Sequence, residues 1–129
     1  MRPVHEVISF EVGIDCHDLE VAAKFWMAAL GYLPGVADIE RYRDAAAIYY
    51  SLVDPSGARP KIILQRVPEG KVVKNRLHLD LHVPDIETEA VRLVGLGALR
   101  TDQNPFHEAG AVWIRMSDPE GNEFCLVQK

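Results

Sequence analysis

The sequence predicts an α+β chain built from two tandem βαβββ units, whose mixed sheets pair around a central cleft. Three observations carry this. Residues 76–97, RLHLDLHVPDIETEAVRLVGLG, alternate strictly through residues 77–83 and then change to helical spacing. The same strand-then-helix pattern opens the chain, and the aspartates that would cap the two helices, Asp18 and Asp85, stand 67 positions apart. Each half also carries a D-P-x-G turn, Asp54-Pro55-Ser56-Gly57 and Asp118-Pro119-Glu120-Gly121, with a spacing of 64. One such turn means little. Two, each following a strand–helix–strand pattern, argue for an internal duplication.

The elements follow in order. Residues 7–15 alternate, with Ile8, Phe10, Val12 and Ile14 to one side and Ser9, Glu11, Gly13 and Asp15 to the other. Asp18 caps a helix whose stripe is Ala22, Phe25, Trp26, Ala29 and Leu30, and Gly31 stops it. Residues 36–40 are the least regular strand candidate, followed by strands over 46–53 and 61–67 on either side of the first D-P-x-G turn. A connection over 68–75 leads to the second unit, so a single domain over 1–129 divides into modules at about 5–67 and 76–128. There the strand over 77–83 precedes a helix capped by Asp85, with Glu87 and Glu89 in its positive first turn. Its stripe is Ile86, Ala90, Leu93 and Val94, and Gly95 or Gly97 ends it. Residues 98–102, a loop through Gly110, and strands over 111–117 and 122–127 complete the chain.

Size and charge narrow the function. A chain of 129 residues can bury a core without staples. A net charge of −5 and a pI near 5.5 argue against nucleic acid or an anionic membrane as partner. No apolar run reaches a membrane span and no leader pattern opens the chain, so a soluble cytoplasmic protein is expected. Cys16 and Cys125 are expected as free thiols rather than a disulfide framework.

Chemistry is expected on the sheet face that each helix leaves open. In the second unit that face takes His78, Asp80 and His82, two imidazoles around a carboxylate, and a carboxylate beside a histidine raises its pKa toward working pH. The structural alternative is that Asp80 pairs with Arg92, Arg115 or a backbone amide. Trp113 and Arg115 share a face, suiting a planar or anionic ligand or, equally, a solvated surface pair. Phe106, His107 and Glu108 fall in the loop and could overhang the site. Cys125, between Phe124 and Leu126, reads as a packing residue rather than a nucleophile.

The doubled βαβββ pattern, the D-x-x-D-L start of the first helix (Asp15 to Leu19), the LHLDLHV strand and the closing DPEGNEFCLV resemble the vicinal oxygen chelate superfamily, that is, the glyoxalase, bleomycin-resistance and extradiol-dioxygenase fold. The resemblance covers nearly the whole chain and looks most like the small glyoxalase-like domain proteins. It implies a cleft with up to four metal ligands. The first-strand position, seven before the cap aspartate, matches Glu11, and the equivalent fifth-strand position matches His78. The last-strand position, four after the glycine of DPEG and usually glutamate, is Cys125, with Glu123 on the same face two residues away. On the fourth strand only Gln65 could serve. The implied cofactor is a divalent metal, zinc, nickel, iron or manganese. A thiolate from Cys125 would favour zinc.

Three functions compete. The first places a small molecule in the cleft, lined by Gln65, Asp80, His82, Trp113, Arg115 and Cys125. The second is a metal-dependent lyase or isomerase of the glyoxalase type, with Glu11 and His78 as ligands and acid–base groups. The third is a structural or partner-binding dimer. Because Cys125 breaks the implied ligand set, metal-free binding ranks slightly ahead of glyoxalase chemistry. By the resemblance, the chain is expected to be a homodimer.

Overall fold

Asp18 starts the first helix as its position predicts. Its backbone is extended and its carboxylate accepts hydrogen bonds from the amides of Glu20 (3.0 Å) and Val21 (3.2 Å), two of the donors a helix leaves unpaired. A computed structural model describes residues 5–129. Helix α1 (Leu19–Leu30) buries Leu19, Ala22, Ala23, Phe25 and Trp26. It ends at Gly31, whose φ of 71° is left-handed and suits a residue without a Cβ. Asp85 does the same for helix α2 (Ile86–Gly95), accepting from Glu87 and Thr88, and Ile86, Ala90 and Leu93 are buried. Val94, placed in the apolar stripe by spacing, is 47% exposed.

The chain divides into two units, with the boundary between Val67 and Pro68. In the first, strands β1 (Val12–Cys16), β2 (Leu33–Pro34), β3 (Tyr49–Val53) and β4 (Ile62–Arg66) form a mixed sheet in the order β1-β4-β3-β2. In the second, β5 (Asp80–His82), β6 (Leu99–Arg100), β8 (Ala111–Ser117) and β9 (Glu123–Gln128) take the equivalent order β5-β9-β8-β6, and β7 (Phe106–Glu108) also pairs with β8. In both units the first strand runs parallel to the last and the remaining pairings are antiparallel. This is the α+β, doubled arrangement expected from the spacing.

Strand lengths differ from the alternation, for a common reason. The expected strand over 7–15 is ordered as a ladder only over Val12–Cys16, because β4 supplies only five partners. Upstream, Val7, Ile8 and Phe10 are 77%, 71% and 69% exposed. The expected strand over 77–83 likewise narrows to Asp80–His82, extended by one hydrogen bond at each end, Cys125 N to Leu79 O and Val83 N to Val127 O. Leu77 lies beyond that ladder and is 88% exposed. Residues 36–40 are not a strand; β2 lies earlier, and Arg41–Arg43 form a 3-10 turn. The expected connection over 68–75 belongs to the second unit, where Glu123 accepts from the Asn75 amide (2.9 Å) and the Lys71 ammonium (3.1 Å).

The segment before Gly110, expected as a loop, includes a strand. It contains β7, joined to β8 by Ala109-Gly110 with φ values of 50° and 76°. That is the two-residue hairpin geometry that asparagine and glycine usually supply, and alanine in the first position hid it.

The duplicated turns are tied the same way. Asp54 accepts from the amides of Ser56 and Arg59 (both 3.0 Å), and Asp118 from those of Glu120 and Asn122 (both 2.9 Å). Asp118 is 2% exposed, so Asp118→Ala strands two amides in a closed turn. It is expected to destabilise by about 2–4 kcal/mol in urea denaturation, where a change under 1 kcal/mol would contradict the assignment. The Ser56 amide, with help from Arg59, pulls the Asp54 carboxyl down to about 2. A depressed carboxyl stabilises the fold above its unfolded range and loses that contribution as pH falls through the folded value. The stability gap between wild type and Asp54→Asn is therefore expected at pH 6 and should close between about pH 4 and 2. A gap unchanged at pH 2 would refute it.

Candidate functional site

In the second unit α2 packs on one face of the sheet, against β9, β8 and β6. Phe124, Leu126, Ile114 and Met116 fill that side and are at most 1% exposed. Alternation then turns Trp113, Arg115 and Ser117 of β8, Cys125 of β9, and Asp80 and His82 of β5 to the other side. Register arranges them in rows. Asp80, Cys125 and Arg115 lie abreast, and His82, Val127, Trp113 and Phe106 form the next row.

Two of these groups, Asp80 and Cys125, converge with His78 from just before β5. His78 Nε2 is 3.1 Å from Asp80 Oδ1, and donor atoms of His78, Asp80 and Cys125 all lie within 4.8 Å of one another. His78 and Asp80 are exposed while Cys125 is buried. Burial pushes the Cys125 thiol up to about 11, and the Asp80 carboxylate, which accepts its hydrogen bond, pushes the same way. Asp80 thus holds an imidazole and a thiol at once. The sequence placed His78 and Asp80 together through their spacing. Their closeness to Cys125 depends on the parallel β5–β9 register, which no local pattern encodes.

Arg115 is already engaged. Its Nη2 donates to Asp102 Oδ1 (2.8 Å), and its Nε and backbone N donate to Asp102 Oδ2 (3.0 and 2.9 Å). The Arg115 guanidinium holds the Asp102 carboxyl below its usual range. Asp102 was not among the sequence candidates; it lies just past β6, where Thr101 N bonds Arg115 O. Of the alternatives for Asp80, Arg115 bonds Asp102 and Arg92 bonds Glu89 (2.7 Å), while the contacts described for Asp80 are with His78 and Cys125. Trp113 stacks on Phe106 at 4.5 Å between ring centres and 23° between planes. Glu123 is occupied by Lys71 and Asn75. His82 is exposed in the Trp113 row.

The first-unit candidates sit on their own sheet. Gln65 of β4 lies between Asp15 and Tyr49 in register and is half-buried. Glu11 precedes β1, is exposed, and has Lys61 Nζ 3.8 Å from its carboxylate. The cluster of three donors among the described residues does not include Glu11.

The chain belongs to the glyoxalase-like domain family, whose model matches residues 11–127. No curated protein matches the sequence. Solved structures share the fold of the glyoxalase/bleomycin resistance/dioxygenase superfamily. A glyoxalase family protein from Bacillus cereus is 17% identical with a TM-score of 0.70, over 99% of this chain and 98% of that one. A superfamily member from Sphaerobacter thermophilus is 23% identical with a TM-score of 0.65, over 95% and 98%. The fosfomycin resistance protein FosX from Listeria monocytogenes is 11% identical with a TM-score of 0.71, over 96% and 94%. Among the described residues no helix is long and apolar enough to cross a membrane.

Proposed function

We propose that the chain binds a small molecule on the open face of the second sheet, anchored by a divalent metal held by His78, Asp80 and Cys125. The observation that carries this is the convergence of one nitrogen, one oxygen and one sulphur donor within 4.8 Å. Tetrahedral zinc, with bonds of about 2.0–2.3 Å, needs its ligands about 3.3–3.8 Å apart. The 3.1 Å His78–Asp80 separation is already near that, so modest closure around an ion suffices. The mixed donor set suits zinc better than magnesium or manganese. Asp80 supplies a donor that the family resemblance does not, in a shell where Cys125 stands for the usual glutamate.

Three protein ligands leave a position for an exogenous oxygen, as in catalytic rather than structural zinc sites. When bound, the ion would act as a Lewis acid on that oxygen. Asp80 brings the His78 imidazole to the site, Cys125 would anchor the ion from the buried strand, and the Arg115–Asp102 pair borders it. The family likeness also supports a homodimer, which sedimentation would report as twice the 14.4 kDa chain mass.

Elemental analysis of protein made in zinc-replete medium and purified without chelators tests the metal. About one ion per chain is expected, and His78→Ala should lose it. Absence of metal from the wild type, with no rise in Tm on adding zinc, would overturn the proposal.

A further inference from the structure

We propose that Asp102, though not one of the three donors, is the positioning residue that holds and neutralises Arg115, so that the face beside Cys125 accepts a divalent cation. This rests on the metal-anchored reading above. Arg115 stands opposite Cys125 in the β8–β9 register, in one row with Asp80. Directly opposed side chains have their Cβ atoms about 5 Å apart. Asp102 follows β6, which lies on the other side of β8 from β9, so its carboxylate draws the guanidinium away from the donors. The charge then sits on the order of 8 Å from an ion held at Cys125. At that range a lone cation opposes any step that brings in positive charge.

The pairing is one to one. The Asp102 side chain is 9% exposed, and its carboxylate takes the Nη2, Nε and backbone N of Arg115. Arg100, the neighbouring cation, has its own carboxylate in Glu87, with Nη2 3.0 Å from Oε1. Its Nε donates to the Asp102 carbonyl (2.7 Å) and its Nη2 to the Gln103 carbonyl (3.0 Å), which fixes the backbone that carries Asp102. Charges of alternating sign, Glu87, Arg100, Asp102 and Arg115, thus lead from the first turn of α2 to the open face. Both members of the nearer pair reach Cys125: Arg115 draws its thiol down and Asp102 pushes it up.

The cost of a lone guanidinium follows from charge. The ion brings two positive charges, and Cys125 gives one proton to solvent on becoming a thiolate, so loading makes the centre more positive by one. A unit charge about 8 Å away, at an effective dielectric of about 40, changes affinity about fivefold. Pairing with Asp102 cancels most of that.

Zinc affinity of the full chain, read by competition with a chromophoric chelator at low and high salt, tests this in four proteins: wild type, Asp102→Asn, Arg115→Gln and the double variant. Asp102→Asn keeps the shape and an acceptor oxygen for Arg115. It is expected to bind zinc about fivefold more weakly at low salt, with the loss fading at 1 M, where charges are screened within about 3 Å. Arg115→Gln leaves a carboxylate without its cation and should bind zinc more tightly than wild type. The double variant should return to within about twofold of wild type. A packing role gives a different pattern, in which both single variants weaken binding, the double is no better, and salt changes nothing. That pattern, or an affinity unmoved by Asp102→Asn, would overturn the inference and leave the metal centre standing. Should Asp102→Asn fold poorly, Arg115→Gln carries the test: tighter zinc binding supports the inference and weaker binding overturns it. Wild-type protein that takes up no zinc would overturn the metal reading itself, and this inference with it.

Discussion

Cys125→Ala is expected to weaken zinc binding about a hundredfold, measured by competition with a chromophoric chelator. Structural zinc sites with a full protein shell gain on the order of 10–16 kcal/mol, so one ligand of three or four accounts for roughly 3 kcal/mol, or about a hundredfold. Cys125→Asp separates the sulphur from the charge. It puts a carboxylate at the same strand position, opposite Asp80 in register. The softer donor is gone, so zinc should lose much of its advantage over manganese even where some zinc affinity returns. Unchanged zinc affinity in Cys125→Ala would remove Cys125 from the shell and return it to packing, the role its apolar neighbours suggest. His78→Ala and Asp80→Ala should behave like Cys125→Ala if the three act as one shell.

Trp26→Ala should cost about 3–5 kcal/mol in chemical denaturation, the range for emptying a large aromatic site in a core. Trp26 is 1% exposed and meets Phe25 edge-on at 5.1 Å between ring centres, so little can collapse into the void. Phe10→Ala and Leu77→Ala are the contrast. Both residues are apolar members of an alternating run, yet they are 69% and 88% exposed, and each change should fall within about 0.5 kcal/mol. A large loss at either would show that the residue is covered in solution.

These contrasts mark how far local pattern reaches. Helices were legible because their signals are local. A capping aspartate, a 3.6-residue apolar stripe and a terminal glycine lie within one stretch, and both helices start at the predicted aspartates. The two D-P-x-G turns were legible for the same reason, since each aspartate bonds amides at most five residues away. Strand ends were less so. An alternating run says which side chains share a face, but a ladder lasts only as long as its neighbour, and that neighbour is distant in sequence. Strand β7 escaped because its turn uses Ala109 where asparagine would have announced it.

The sequence by itself determined the doubled strand–helix plan, the family resemblance, and the face that carries His78 and Asp80. Tertiary structure decided the chemistry of that face. Parallel pairing of β5 with β9 sets Cys125 opposite Asp80, although they are far apart along the chain. Antiparallel pairing of β8 with β6 and β7 joins Arg115 to Asp102 and Phe106 to Trp113. Register is a relation between strands. It is set by which apolar sides fit under a helix and by which backbone amides find partners, and no single stretch of residues contains it.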